Sequence, residues 1–311
     1  MTNKIDDTDK ALLYCLLSDA RTKESQLAKL LKVSKQVVSY RIKNLVEKKY
    51  IRSFRISTNP SLLGKIRYSI LLRINEDNDT PEVRRYLKSL KGASSVIECI
   101  GNWNVYASYW VDSPAQFDSV MESIFTKIPV KGYVVLESVY SALMFGRVLN
   151  QGFSDKIDDK GVPPQKKVTL DEIDRKLLEL LNKNSRAPLI HIARELSISV
   201  HVLKYHLERL KKSGFLQRCF AVIDMQKLGY QEFTCLCKIN LSNPFLLKKF
   251  IKYLRARQEV SFYMRCIGAW DFYLSVFVKS PAEFREVIHD LRQKFRPLIM
   301  DSDMFIIDQL F

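Results

Sequence analysis

Long apolar runs are missing from this 311-residue chain. None approaches 18 residues, so no membrane-spanning helix is expected. The opening MTNKIDDTDK lacks the apolar core of a secretory signal. Cysteine is scarce, with six in all, and the positions suggest buried strand thiols and not a disulfide framework. Together these absences lead to the expectation of a reducing, cytoplasmic setting. Histidine is scarcer still: His191, His201, His206 and His289 are the whole set. No H-E-x-x-H, nucleophile elbow or phosphate loop occurs. Cys235 and Cys237 alternate on a predicted strand, and two thiols alone make a thin metal-ligand set. Neither a metal nor a cofactor is expected, and the chain is expected not to be an enzyme.

Negative charge is also in short supply. Asp and Glu number 34 against 50 Lys and Arg, a net charge of +16. The excess is localised. Residues 1–55 carry +7 and residues 166–220 carry +6, whereas residues 56–165 are neutral. A generally basic surface would spread its charge; two short basic segments look like two footprints for a polyanion.

Those segments are copies of one another. At an offset of 165, Asp6, Asp9, Leu12, Leu16, Arg21, Ala28, Ser34, Tyr40 and Leu45 match Asp171, Asp174, Leu177, Leu181, Arg186, Ala193, Ser199, Tyr205 and Leu210. Further on the offset becomes 167, and CIGNW at 99–103 matches CIGAW at 266–270. The period is far too long for a solenoid. The chain therefore reads as two copies of a two-domain unit.

Each basic part predicts three short helices. In the second copy, Thr169 and Glu172 suggest a capping box before a first helix over about 170–182. Pro188 suits the start of the second helix, and Ser199 can cap the third. The core face of the third helix is expected to be Val202, Leu203, Leu207 and Leu210, and in the first copy Val37, Val38, Ile42 and Leu45. Two helices joined by a tight turn, the second basic outside, follow helix-turn-helix logic. The exposed face then offers Ser34, Lys35, Gln36, Ser39, Tyr40 and Lys43 in the first copy. The second offers Ser199, His201, Lys204, Tyr205 and Lys211. Gln36 could pair with adenine and Lys35 could reach guanine. Ser39, Lys43, Lys204 and Lys211 suit phosphates, which set register and not sequence choice. Residues 52–56, RSFRI, suggest a wing strand along the DNA backbone. Arg41 is open to two readings, a DNA contact or a brace for the domain's own helices, and His206 takes its position in the second copy.

Each near-neutral part predicts β-α-β-β-α-β, a ferredoxin-like order. Strands are expected at 66–74, 94–100, 105–111 and 133–140, with helices starting at Pro81 and Pro114. The second helix should turn Phe117, Val120, Met121, Ile124 and Phe125 inward. Matching strands fall at 233–239, 260–267, 272–278 and 304–310. A sheet covered on one side needs a partner for its other face, and the other copy can supply it. The linker at 146–168 can reach roughly 75 Å when extended, enough for such intrachain pairing.

The whole is α+β: two winged helix-turn-helix domains (1–56 and 169–221) alternate with two ferredoxin-like domains (60–145 and 225–311). This order, with DDTDKALLYCLLSDARTKESQLAKLLKVSKQVVSYRIKNLVEKKYI and LDEIDRKLLELLNKNSRAPLIHIARELSISVHVLKYHLERLKKSGFL as its quotable parts, resembles two fused leucine-responsive/AsnC-family transcription regulators. CIGNWNVYASYWVDSPAQF and CIGAWDFYLSVFVKSPAEF resemble the family's effector domain. The resemblance implies binding to double-stranded DNA, an amino-acid effector and oligomerisation. Carried over, the effector segment is Gly101, Asn102 and Asn104, and Gly268, Ala269 and Asp271. The acid expected there is Asn104 in the first copy, so two equal ligand sites are not implied. Fusion implies an intrachain pseudo-dimer with two different readers. Two alternatives stand beside this: a sirohaem-type tetrapyrrole decarboxylase, since some relatives of the family are such enzymes, and a protein-interaction module without DNA binding.

Overall fold

Two aspartates decide where the first helix begins. In the computed structural model, which describes residues 5–75, 79–144, 146–149 and 167–310, Asp6 accepts the Asp9 amide and closes a capping box before α1 (Asp7–Ser18). Asp171 and Asp174 do the same for α6 (Glu172–Lys183). The box expected at Thr169 and Glu172 is thus displaced by two residues. The shorter Asp side chains, three apart, bond each other's backbone amides and leave Glu172 as the first helical residue. The remaining elements of the two helix-turn-helix domains are α2 (Glu24–Leu31), α3 (Lys35–Glu47) and β1 (Ile51–Thr58), then α7 (Leu189–Glu195), α8 (Val200–Lys212) and β6 (Leu216–Ile223). Ser34 and Ser199 cap α3 and α8, accepting the amides of Val37 and Val202.

The chain divides into two compact units that do not follow the order of the copies. Residues 1–63 and 149–229 form one; residues 64–148 and 230–311 form the other. Both helix-turn-helix domains therefore share a unit, and so do both ferredoxin-like domains. Most of the linker expected at 146–168 lies outside the described residues.

In the first unit, β1 and β6 pair antiparallel. The wing expected to run along DNA is instead half of a ribbon joining the two readers. An exposed edge strand carries a row of unmet backbone groups, and the second copy supplies an identical row to pair with it. The contacts are reciprocal. Ala20 donates its amide to Cys219 O at 2.8 Å, and Ser185 donates to Phe54 O at 3.0 Å. Asp224 donates to Tyr50 O and Asn59 to Phe215 O, each at 2.9 Å. Arg21 donates to the carbonyls of Ser185 and Ala187, and Arg186 to those of Ala20 and Thr22.

The second unit contains β2 (Ile66–Ile74), α4 (Pro81–Ser89), β3 (Ala93–Gly101), β4 (Val105–Val111), α5 (Pro114–Lys127) and β5 (Val130–Leu143). Its second half contains β7 (Gln231–Ile239), α9 (Pro244–Ala256), β8 (Val260–Gly268), β9 (Phe272–Val278), α10 (Pro281–Lys294) and β10 (Ile299–Leu310). Each half is a four-stranded ferredoxin-like sheet. The sheets join at β5–β8 and at β3–β10, closing an eight-stranded barrel in the order β10-β3-β4-β2-β5-β8-β9-β7. Strand alternation sorts the side chains. Ile70, Leu72, Ala107 and Tyr109 pack under the helices of the first half with Phe117, Val120, Met121 and Ile124. Phe125, expected inside, is 39% exposed and lies against Tyr133, because it falls one position past the buried stripe. The opposite sheet face supplies Leu71, Cys99, Tyr106, Leu136, Leu236, Met264, Cys266, Tyr273, Phe305 and Ile307 to the barrel interior. All six cysteines are free thiols; Cys15 departs from the strand expectation by lying on α1.

The closures demand glycine. Gly101 has φ +145 and faces Phe305; Gly268 has φ +137 and faces Leu136. A Cβ on Gly268 would stand 2.5 Å from Val135 O, a backbone atom that cannot swing away. Gly268→Ala should therefore destabilise the chain by about 1–3 kcal/mol, read as a lower midpoint in chemical denaturation monitored by circular dichroism.

Candidate nucleic-acid interface and barrel interior

The third helix of each reader buries one stripe and exposes the rest. Val38, Ile42 and Leu45 are buried in α3; Leu203, His206, Leu207 and Leu210 are buried in α8. Val37 and Val202, expected in the core, are each 38% exposed. The turn before each helix rotates the neighbouring Val38 and Leu203 inward, so the first valine stays on the outer face. Lys35, Gln36, Ser39, Tyr40 and Lys43 are exposed on α3, and His201, Lys204, Tyr205 and Lys211 on α8. The hydroxyls of Ser34 and Ser199 are engaged as caps. Lys43 lies 3.8 Å from Glu47, an exposed pair one turn apart.

The flanks differ between copies. Arg21, Thr22, Lys23, Glu24, Ser25, Lys35 and Arg186 line a concavity of about 430 Å³, four cations against one acid. The second-copy counterparts of Lys23, Ser25 and Lys35 are Pro188, Ile190 and Val200. Ile190 is 57% exposed.

Both readers tie the third helix to the start of the first through the capping aspartates. In the first copy Arg41 donates to Asp6 and Asp9, at 2.8 Å each. Burial works against ionised Asp6, but the Asp9 amide and the Arg41 guanidinium outweigh it and hold its carboxyl below the usual value. In the second copy His206 replaces Arg41. Its Nδ1 lies 2.9 Å from Asp174 Oδ1. Arg209, one turn on, donates to Asp171 at 2.7 Å and also to Asp174. Asp171, Asp174 and His206 each place one ligating atom within 4.8 Å of the others, a donor set that a divalent ion could use. Here Arg209 lies against both carboxylates.

The two segments expected to meet an effector occupy matched positions in the barrel wall. Asn104 accepts the Ile74 amide through Oδ1 at 2.7 Å, and Asp271 accepts the Ile239 amide through Oδ2 at 2.9 Å. Asp271 also meets Arg265 and Lys238. Asn102 and Trp103 both donate to Asp303 of the other half, at 2.9 and 2.8 Å. Ala269 has no side chain to repeat the Asn102 bond. Gly101 and Gly268 serve the closures described above. Trp103 and Trp270 pack against the barrel interior.

Composition and motif reading missed the polar groups of that interior. Arg67 donates to Tyr106 OH and Ser108 Oγ, each at 3.4 Å, and its guanidinium lies 5.9 Å from the Trp110 ring and 5.9 Å from the Phe262 ring. At the matched position stands Glu232, which accepts the Ser275 hydroxyl. Desolvation pushes the Glu232 carboxyl up to about 6, although the Ser275 bond opposes this. Thr234 donates to Tyr273 OH at 3.1 Å, and the Tyr106 and Tyr273 ring centroids are 5.2 Å apart. The repeat offset was the signal available: it aligns Arg67 with Glu232, an opposite charge at one strand position.

Comparison with known proteins gives two kinds of likeness. A family model described as winged helix-turn-helix DNA-binding matches residues 5–52 and 170–217. The chain is 31% identical over 127 residues to an uncharacterized HTH-type transcriptional regulator of Pyrococcus horikoshii, covering 41% of this chain and 79% of that protein. It is 29% identical over 119 residues to regulatory protein AsnC of Haemophilus influenzae, covering 38% of this chain and 79% of that protein. Among solved structures, the siroheme decarboxylase NirDL matches with a TM-score of 0.65 at 16% identity, covering 98% of this chain and 92% of that one. That likeness is one of fold. It nevertheless overturns the expectation that the chain is not an enzyme, since the structure matched along nearly the whole chain is an enzyme. No helix among the described residues is long and apolar enough to cross a membrane.

Asp174 is fully buried and serves the cap, His206 and Arg209 at once. Asp174→Ala should cost about 1–3 kcal/mol, because it leaves buried His206 and the Asp171 amide without their acceptor. The depressed carboxyls of Asp6 and Asp171 contribute stability above their unfolded value of about 4, and it is lost as pH falls through their lower native values. Circular dichroism melts between pH 2 and 7 check both outcomes.

Proposed function

We propose that this chain acts on duplex DNA as a transcription regulator: it belongs to the Lrp/AsnC family of winged helix-turn-helix proteins, as a tandem of two family units. The observation that carries the reading is the pair of matched, solvent-exposed third-helix faces, each within one of the two segments that hold most of the net positive charge. Groove docking brings the early residues of such a helix to base edges. Lys35 and Gln36 take that place on α3, and His201 on α8. Val37 and Val202 add a methyl surface suited to thymine. Tyr40, Ser39, Lys43, Lys204, Tyr205 and Lys211 supply backbone contacts.

The two readers are unequal. Lys23, Ser25 and Lys35 give the first a basic flank that Pro188, Ile190 and Val200 deny the second. The ribbon and the reciprocal arginines hold both readers in one unit, so a bound site has two dissimilar halves at a fixed spacing. An effector at the strand connections would meet Asn102 and the backbone of Gly101, Gly268 and Ala269. Asn104 and Asp271 already spend side-chain oxygens on the wall.

A second reading is favoured by the near-complete fold likeness to the siroheme decarboxylase: removal of carboxylate groups from a sirohaem-type tetrapyrrole in the barrel unit. Decarboxylation releases CO2 and needs a proton for the carbon left behind. Glu232, its carboxyl raised to about 6, suits that donor near neutral pH. Both activities can reside in one chain, because the readers and the barrel are separate units.

Duplex affinity should fall steeply with salt, and Lys35→Glu, Lys43→Glu and Lys204→Glu should each weaken it, the last two also flattening the logarithmic salt slope by about one or more. No measurable affinity for any genomic duplex at low salt would overturn the regulator reading. For the enzyme reading, anaerobic incubation with sirohaem should give stoichiometric binding by absorbance and CO2 release that Glu232→Gln abolishes. Absent binding would remove that reading.

A further inference from the structure

We infer that the Arg67 guanidinium is a binding site for the carboxylate of a small, flat, apolar acid, one molecule per chain. Arg67 is the second residue of β2, and Trp110, paired with it, is the last but one of β4. The group therefore stands near one mouth of the barrel, partly exposed. Strand alternation sends Arg67, Ser69 and Leu71 inward while Tyr68, Ile70 and Leu72 face the helices.

What surrounds the guanidinium does not satisfy it. It has five N–H donors in a planar fork suited to a carboxylate. It makes two long bonds to neutral hydroxyls, at 3.4 Å each. Its Nε is shielded from solvent and has no hydrogen-bond partner. No carboxylate pairs with it among the described residues. A half-buried guanidinium whose fork is left with free donors suits an anion from outside.

The second copy shows that the barrel does not require arginine here. The matched residue is Glu232, hydrogen-bonded to Ser275, and no cation pairs with it among the described residues. Opposite charges thus stand at equivalent positions, and they do not neutralise each other: no ion pair joins Arg67 to Glu232. The fold tolerates either sign, so the guanidinium is not a packing necessity, and the carboxylate site exists once.

The walls give the rest of the ligand. Trp110 and Phe262 lie on the guanidinium at 5.9 Å each, one from each half of the barrel. Such faces favour an aromatic or short apolar body attached to the acid. This inference rests on neither functional reading.

Calorimetric titration of the full chain with benzoate and phenylacetate tests the site without DNA or tetrapyrrole. The expected result is saturable 1:1 binding of at least one acid and none of benzamide, which lacks the charge. Arg67→Gln should weaken binding about tenfold or more, and Arg67→Lys should also weaken it because the fork is lost. Arg285→Gln, exposed on α10, should leave it unchanged within about twofold. Melting curves show whether each variant is folded, and the lysine variant keeps the comparison valid if the glutamine variant is not. No saturable binding of either acid to the wild-type chain, or equal binding by a folded Arg67 variant, would overturn the inference.

Discussion

A four-stranded sheet leaves the outward N–H and C=O groups of its two edge strands unmet, and each ferredoxin-like half of this chain has two such edges. Their pairing with the other copy at β5–β8 and β3–β10 is the constraint on which the second unit depends. Closure converts two half-covered sheets into a barrel whose second face is interior. It also explains why glycine stands at 101 and 268, where the backbones meet too closely for a side chain. The readers solve the same problem on a smaller scale. β1 and β6 would be lone strands, and they complete each other. A single copy satisfies neither edge, so the tandem carries its own partner.

Pseudo-symmetry then makes every difference between the copies visible. Many contacts that build the units are reciprocal to within a few tenths of an ångström, including the arginine bonds and the asparagine or aspartate that fastens each strand connection, whereas the bonds of Asn102 and Trp103 to Asp303 have no counterpart among the described residues. Further differences lie elsewhere. Arg41 gives way to His206 with Arg209; a basic flank gives way to proline and isoleucine; Arg67 gives way to Glu232. The unequal positions are where one chain can do what a symmetric dimer of one unit cannot.

Much of this was legible in the residue pattern. The offsets of 165 and 167 exposed the tandem, and helical and alternating periodicity placed most helices and strands. It set no range for β6, and β10 begins well before the strand expected at 304–310. Ser34 and Ser199 announced the third helices through capping chemistry. Other features depend on pairing that periodicity does not encode. RSFRI looks like a wing because its composition is the same whether it faces phosphate or another strand. Val37 satisfies the helical period as well as Val38 does, and only the entry angle set by the preceding turn decides between them. Thr169 offers as good a box as Asp171 in sequence, and the shorter reach of two aspartates decides the contest. Arg67 and Glu232 were hidden because a charge on an alternating strand reads as solvent-facing until the barrel closes over it.

We propose that one compact unit presents two different helix-turn-helix faces to one duplex. Selection of bound duplexes from a randomised pool, followed by sequencing, addresses it most directly. The account predicts a single enriched motif with two dissimilar halves at one fixed spacing, the stronger half belonging to α3. A palindromic motif, or enrichment of no sequence at all, would contradict it.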